Sequence, residues 1–145
     1  MTTAPPTLPF TLTRTPRGTW SAKWTERDLG VDVAGSEDAP HPAHVSTLAA
    51  LVERWPDVER AIESFAVALL PDGRVPLEPA SRGGFAAKDC GFDGPWRCYV
   101  AILVTAPDAP RHAEVLFYTG LPDGYVNFRV VLDDGRPIAI HAFTS

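Results

Sequence analysis

The stretch EVLFYTGLPDGYVNFRVVLDDGRPIAIHAF, residues 114–143, decides the fold, because the same pattern occurs in it twice: an apolar run that ends in Asp-Gly. Asp tolerates the turn conformation and Gly adopts positive φ without steric cost, so Asp-Gly is typical of a tight turn between antiparallel strands. Apolar and polar residues alternate along the run 125–132, as in a half-buried strand. The stretch therefore predicts a meander of three strands, 113–119, 125–132 and 137–143.

A fourth strand is predicted immediately upstream. The run 97–105 is almost wholly apolar, which suits a central strand. In the last strand of the meander, the alternation places Ile138 and Ile140 on one face and His141 on the other.

Three shorter strand candidates lie near the N-terminus, at 10–14, 19–24 and 31–35. In the second of them, Trp20 and Trp24 share a face at a period of two. Turn residues separate the three runs, so they predict an N-terminal antiparallel meander.

The apolar spacing changes to a helical one from His44 onwards, and continues to Leu69. Pro56 interrupts the stripe, and Pro is tolerated in the first turn of a helix but costly inside one. We therefore expect two consecutive helices, or one sharply kinked helix, with the break near Trp55–Pro56. The predicted fold is α+β: an antiparallel sheet, formed by the N-terminal three-strand meander and the C-terminal four-strand meander, covered on one face by the two helices.

The length of 145 residues predicts one domain. We assign 1–8 to a disordered Pro/Thr-rich tail and 9–145 to a single α+β domain. The segment 71–95 has no sustained period and is rich in Gly and Pro, which indicates a long irregular loop. Such a loop is either functional or a mobile surface connection.

The net charge of −5 argues against binding to nucleic acid or to an anionic membrane, and fits a basic partner. Most of the acidic excess lies in 36–70, the helical part. The N-terminus lacks the features of a secretory signal, and no apolar run approaches the ~20 residues that span a bilayer. These features predict a cytoplasmic protein.

The residues that carry chemistry form no recognised catalytic motif. Cys90 and Cys98 are interpreted as free thiols, with a mutual bridge as the alternative in an oxidising compartment. A nucleophilic Cys90 would need a base, and His112 and His141 are the downstream candidates. His41 and His44 stand three apart but are interpreted as surface histidines rather than metal ligands. We therefore predict no catalytic residue, no metal and no cofactor.

The predicted binding surfaces consist of side chains that neither the predicted core nor the turns require. Two carboxylates and a Trp belong to the long loop, and aromatic and polar side chains occupy the sheet face opposite to the predicted core. Tyr and Trp are enriched at the centres of protein interfaces. The alternative for this sheet face is a second buried layer. The predicted partner-binding residues are Asp89, Asp93, Trp96, Tyr118, Tyr125, Asn127 and Arg129.

The order of these segments resembles that of the small bacterial domains encoded as immunity proteins beside polymorphic toxins. The segments are "GTWSAKW" and "LGVDV", the helical "HVSTLAALVERWPDVERAIESF" and the C-terminal "YVNFRVVLDDGRPIAIHAF". The resemblance covers most of 10–143 and lies in the order of the elements, so it carries over no individual site residue. It implies a compact α+β protein that binds a cognate toxin and blocks its active site.

Three functions are compatible with the sequence. The first is a non-enzymatic protein that neutralises a toxin, and a basic toxin would be captured faster by an acidic chain. The second is a small-ligand binder or enzyme with a pocket between helices and sheet, in which Cys90, His112 or His141 would converge. The third is a structural or self-associating module that uses its sheet edge.

Overall fold

The computed structural model describes residues 8–70, 72–78, 83–93, 98–121 and 124–143, and these form two α-helices and nine strands in one large mixed sheet. The α+β class is therefore as predicted. Apart from Leu8, the predicted tail lies outside the described residues.

The nine strands are numbered along the chain, and their spatial order in the sheet is β1-β2-β3-β6-β7-β8-β9-β4-β5. They are β1 (Thr13–Arg14), β2 (Trp20–Trp24), β3 (Leu29–Val33), β4 (Arg74–Glu78), β5 (Gly84–Ala86), β6 (Cys98–Val104), β7 (His112–Leu121), β8 (Gly124–Asp133) and β9 (Arg136–Phe143).

The expectation of a wholly antiparallel, seven-stranded sheet is wrong. Two of the pairings, β3 with β6 and β4 with β9, are parallel, and the other pairings are antiparallel. Adjacent parallel strands need a long crossover between them. The two helices lie in the crossover from β3 to β6, which is how they come to cover the sheet.

The segment 71–95 is also more regular than predicted. It contains β4, β5 and a short 3-10 helix, Ala87–Asp89. Val75 anchors β4 in the core, and a Cβ at Gly84 would collide with the Val75 carbonyl oxygen. The strands are short and broken by Gly and Pro, so pairing with the rest of the sheet, and not local periodicity, defines them.

The helices are α1 (Pro42–Glu53) and α2 (Trp55–Val67), so the predicted break is confirmed. Pro56 lies in the first turn of α2, where its missing N–H has no helical partner to lose. Helix α1 begins two residues before His44, again with a Pro in its first turn.

The core lies between the helices and one face of the sheet, which we call the inner face. It is defined by the buried strand residues Val31, Val33, Ile102, Val104, Ala113, Val115, Phe117, Thr119, Phe128, Val130, Leu132, Ile140 and Ala142.

A chain of aromatic contacts crosses this core from the helices to the sheet. Trp55, at the start of α2, packs edge-on against Trp24 and Tyr99, with ring centroids 6.1 Å and 5.4 Å apart. Phe117 continues the chain, 5.8 Å from Tyr99 and 5.1 Å from Phe128. Such pairs each add about 0.5–1.5 kcal/mol beyond the area they bury, so this side of the sheet carries much of the packing energy.

The second predicted Asp-Gly turn joins β8 to β9. Asp134 has φ 52° and Gly135 has φ 82°, and the flanking Asp133 and Arg136 are paired. Positive φ at both central residues is the conformation that Asp-Gly accommodates in a two-residue hairpin. The central residues of the first turn, Pro122 and Asp123, lie outside the described residues.

Candidate functional site: the uncovered face of the sheet

The other side of the sheet, which we call the outer face, carries no helix of the described chain. Its residues alternate along the strands with those of the inner face, and none is fully buried. It is defined by Ser21, Lys23, Gly30, Asp32, Glu78, Val100, Ala101, Leu103, His112, Glu114, Leu116, Tyr118, Asn127, Arg129, Val131, Ala139, His141 and Phe143.

A β-bulge in β6 adds an exposed Val to the outer face. Tyr99 pairs with Phe117 and Ala101 with Leu116, so Val100 is the extra residue between them. Counting back by two from buried Ile102 would place Val100 in the core, but the extra residue breaks that parity. Val100 is 44% exposed. Bulges re-aim side chains in this way beside functional sites.

A second bulge leaves an exposed Ile in β9. Val131 pairs with Ala139 and Leu132 with Pro137, which leaves Ile138 as the extra residue. Ile140 is 4% exposed, whereas Ile138 is 58% exposed. The expectation that Ile138 and Ile140 share one environment is therefore wrong, because the bulge takes Ile138 out of the core.

A charged cluster occupies the middle of the outer face. Glu114 lies between His112, whose Nε2 is 3.5 Å from Oε1, and Arg129, whose Nε is 3.8 Å from Oε2. Arg129 also lies 3.8 Å from a carboxylate oxygen of Glu78, and its guanidinium carbon is 5.7 Å from the centre of the Phe143 ring. The two Arg129 contacts are longer than hydrogen bonds, and the buried Nε has no hydrogen-bond partner among the described residues. The charged cluster is therefore held by ion pairs, while one buried donor, the Arg129 Nε, lacks a hydrogen bond to the described residues.

Three of the predicted partner-binding residues come together on this face. Tyr118 pairs directly with Asn127 across β7 and β8, and Arg129 follows on β8 two residues along. All three are half-buried, so the outer face is not the fully buried second layer that the apolar strands also allowed. Two further predicted residues cannot be placed, since Trp96 and the side chain of Tyr125 lie outside the described residues.

Asp89 and Asp93 lie on the other side of the sheet. Their segment packs Ala87, Cys90 and Phe92 into the core, and the buried Thr119 hydroxyl donates to the Cys90 carbonyl oxygen at 2.6 Å. The two carboxylates are exposed, as predicted for a free acidic patch. They do not share a surface with the outer-face residues, although both groups were predicted to serve one interface.

The two cysteines are free thiols, as predicted, in contrasting environments. Cys90 is buried, and desolvation, with a smaller contribution from Asp89, raises its pKa from 9.0 to about 11. Cys98 is exposed at the start of β6 and pairs with Tyr118. His112 and His141 belong to β7 and β9 positions away from the inner face, so the sheet separates both from Cys90. The Cys–His nucleophile considered from the sequence is not assembled.

Of the two histidines predicted at the surface, only His44 departs from the prediction. His44 is buried and its Nε2 donates to the Ala106 carbonyl oxygen at 2.7 Å, which ties α1 to the end of β6. His41 is exposed, with its ring centroid 5.5 Å from that of His44. Within the described part of the chain, no three His, Cys, Asp or Glu side chains group closely enough to hold a metal ion.

An open groove of about 580 Å³ runs between the helices and the β8–β9 turn. Its lining mixes carboxylates and guanidiniums, including Asp57, Asp134, Arg54 and Arg136. Cys90, His112 and His141, the residues expected in a ligand pocket, do not line it.

Strand alternation alone identifies Glu114 and Leu116 as outer-face residues. Val100 could not have been identified in that way, because the bulge in β6 leaves no signal in the composition of the run.

Comparison with protein-family models, with curated proteins and with solved structures found no match to this chain. Neither helix of the described residues is long and apolar enough to cross a bilayer.

Proposed function

We propose that this chain is a non-enzymatic protein-binding domain, an immunity protein that neutralises a cognate bacterial toxin in the cytoplasm by covering it with the outer face. The observation that carries the proposal is the exposure of apolar side chains on that face beside a half-buried charged cluster. Val100 on that face is 44% exposed, and Leu103, Leu116 and Val131 beside it are half-buried. Apolar area mixed with aromatic and Arg side chains is the composition of an interface centre.

The sheet edges are poorer docking sites than the face. Among the described strands, the terminal ones are β1, with two residues, and β5, with three. Short edge strands offer few unpaired backbone groups to a second chain, which is how natural sheets avoid edge-to-edge association. This favours a partner on the outer face over a module that assembles through its edges.

A basic partner fits the charge of the chain, which has a net charge of −5. Complementary charge speeds encounter and selects partners, more than it adds affinity.

The alternative function, a small-ligand binder, is supported by the helix-side groove. That groove is open and its charged lining is at the surface, whereas ligand sites usually enclose most of an apolar ligand. We therefore rank it second.

Two exposed valines provide a matched test of the outer face. Val100→Arg places a charge on that face, and Val67→Arg places the same charge at the end of α2, where Val67 is 47% exposed. The tagged wild-type chain captures a partner from lysate of the cells that encode it, and the captured protein is then expressed alone and with each variant. We expect the captured protein to stop growth, and the wild type and Val67→Arg to restore it.

Val100→Arg should fold, because the residue it replaces is exposed, but should fail to restore growth. Equal rescue by both variants would remove the outer face from the interface. A captured partner that does not affect growth would contradict the immunity role.

A further inference from the structure

We infer that residues 8–12, which we call the strap, are an exchangeable cover on Trp24, and that the site beneath them takes an extended segment of a partner protein with large apolar side chains at alternate positions. This site lies at the β2 end of the core. The inference therefore goes beyond the proposed function, which concerns the outer face, and does not depend on it.

The strap is an extended apolar segment that lies against the core. Leu8, Phe10 and Leu12 pack on the core and are half-buried, whereas Pro9 and Thr11 between them are exposed. This alternation directs every second side chain of an extended chain to one side. The strap is thus itself an example of what the site accepts, namely three large apolar side chains at a spacing of two.

Trp24 is a main part of the surface that the strap covers. Thr13 of β1 pairs with Ser21 of β2, and the same register would set Phe10 opposite Trp24. The rings of Phe10 and Trp24 do lie close, with centroids 6.2 Å apart. Trp24 also packs edge-on against Trp55 and is only 4% exposed. A strap that lifts away would therefore uncover a large aromatic surface at the start of α2.

The strap is held in place by its side chains alone. No hydrogen bond joins residues 8–12 to any residue that the structure describes. Pro9 has no N–H to donate, and the ladder between β1 and β2 comprises only Thr13 and Arg14 on the β1 side. Segments with few hydrogen bonds and half-exposed contacts open locally at a lower free energy than global unfolding requires. The strap can therefore leave Trp24 while the sheet and the helices stay folded.

The closed strap also leaves a polar group of its site without a partner. The Trp24 Nε1 is buried and has no hydrogen-bond partner among the described residues, so no carbonyl oxygen of the strap accepts from it. A buried donor without an acceptor costs free energy. A partner segment that brings a carbonyl oxygen to this nitrogen would replace the apolar contacts of the strap and add the missing hydrogen bond. This difference favours exchange of the strap for such a segment.

The probe for this inference is the synthetic peptide acetyl-Leu-Pro-Phe-Thr-Leu-Thr-amide, which copies residues 8–13. It is titrated against the full chain while the indole N–H signal of Trp24 is followed by NMR. In the wild type the tethered strap competes with the peptide, and Phe10→Ser weakens this competitor. A minor open state is populated to about 10% or less, so the peptide should bind the Phe10→Ser chain at least about tenfold more tightly than the wild type.

Two matched controls isolate the effect of the strap. Phe85→Ser removes another half-buried Phe that packs on the core, from β5, and should leave the affinity for the peptide at the wild-type level. A second peptide, with Ser in place of Phe, should bind the Phe10→Ser chain at least about tenfold more weakly than the first, because it lacks the side chain that is buried on Trp24.

Hydrogen exchange of the wild type tests the inference without any variant, and decides it if Phe10→Ser does not fold. Opening of the strap exposes the Trp24 indole N–H but little other surface, so its exchange should hardly respond to low concentrations of urea. The amide of Phe128, on a strand paired on both sides, should exchange through larger openings and accelerate steeply with urea.

Four results would overturn the inference. They are a peptide that binds neither the wild type nor the Phe10→Ser chain, or binds both equally; an equal gain in affinity for Phe85→Ser; a Ser peptide that binds as tightly as the Phe peptide; and a Trp24 indole proton whose exchange accelerates with urea as steeply as that of the Phe128 amide.

Discussion

The two faces of this sheet are built from the same strands and yet serve opposite requirements. Phe117 on the inner face is almost inaccessible to water and lies among Phe92, Tyr99 and Phe128. Leu116, the preceding residue of β7, lies on the outer face and is only half-buried. A shift of one residue along β7 thus exchanges a position where close packing determines stability for a position whose side chain contributes to the surface.

Each side of the sheet holds both satisfied and unsatisfied polar groups. In the core, the Thr119 hydroxyl donates to the Cys90 carbonyl oxygen, whereas the buried Trp24 Nε1 has no hydrogen-bond partner among the described residues. On the outer face, the Arg129 Nε also lacks one. The faces therefore differ in how deeply their apolar side chains are buried, and not in how well their polar groups are satisfied.

The largest effect is expected from truncating the two neighbours on β7. Phe117→Ala should lower the free energy of unfolding by about 3–5 kcal/mol, because it leaves a cavity among packed rings. Leu116→Ala should lower it by about 1 kcal/mol or less, since the side chain is already partly in water. Urea denaturation of both variants measures the two losses. Equal losses would mean that the outer face is packed as a second core.

An intermediate effect is expected for the cysteines, which divide between the two sides in the same way. Because desolvation raises the Cys90 pKa to about 11, its thiolate is scarce at pH 8, and alkylation requires the thiolate. We expect iodoacetamide to modify Cys90 at least about a hundredfold more slowly in the folded protein than in the unfolded chain, the factor that a rise in pKa from 9.0 to about 11 represents, whereas exposed Cys98 should react readily in both. Mass spectrometry of the digested protein quantifies both sites, and unfolding in urea should make the rates similar.

The same shift gives a pH dependence with a defined sign. The folded state holds the Cys90 proton more tightly than the unfolded state does, so stability should fall as the pH rises from 9 towards 11. A Cys90→Ala variant should lack that part of the fall. Rapid alkylation of Cys90 in the folded protein would show that the segment 83–93 opens readily from the sheet.

Local rules predicted those elements whose signals are contained in a few neighbouring residues. The break between the helices followed from Pro56, and the Asp134–Gly135 turn followed from the need for positive φ. The short strands β4 and β5 were missed because their pairing is decided by distant parts of the chain. The parallel pairing of β3 with β6 was missed for the same reason.

The candidate site shows the same limit on a smaller scale. Alternation placed Tyr118, Asn127 and Arg129 on one face, and the structure has them there. Asp89 and Asp93 were grouped with them because the fold of their segment was unknown.

The smallest expected change in the free energy of unfolding is that of Ile138→Ala, and it tests directly whether the bulge in β9 takes this side chain out of the core. Ile138 and Ile140 are identical residues two positions apart on β9, and unbroken alternation would give them one environment. Because a bulge intervenes, Ile138→Ala should change the free energy of unfolding by no more than about 0.5 kcal/mol, whereas Ile140→Ala should cost about 2–5 kcal/mol. Chemical denaturation of the two variants measures both changes. A loss at Ile138 approaching that at Ile140 would show that the bulge does not take Ile138 out of the core.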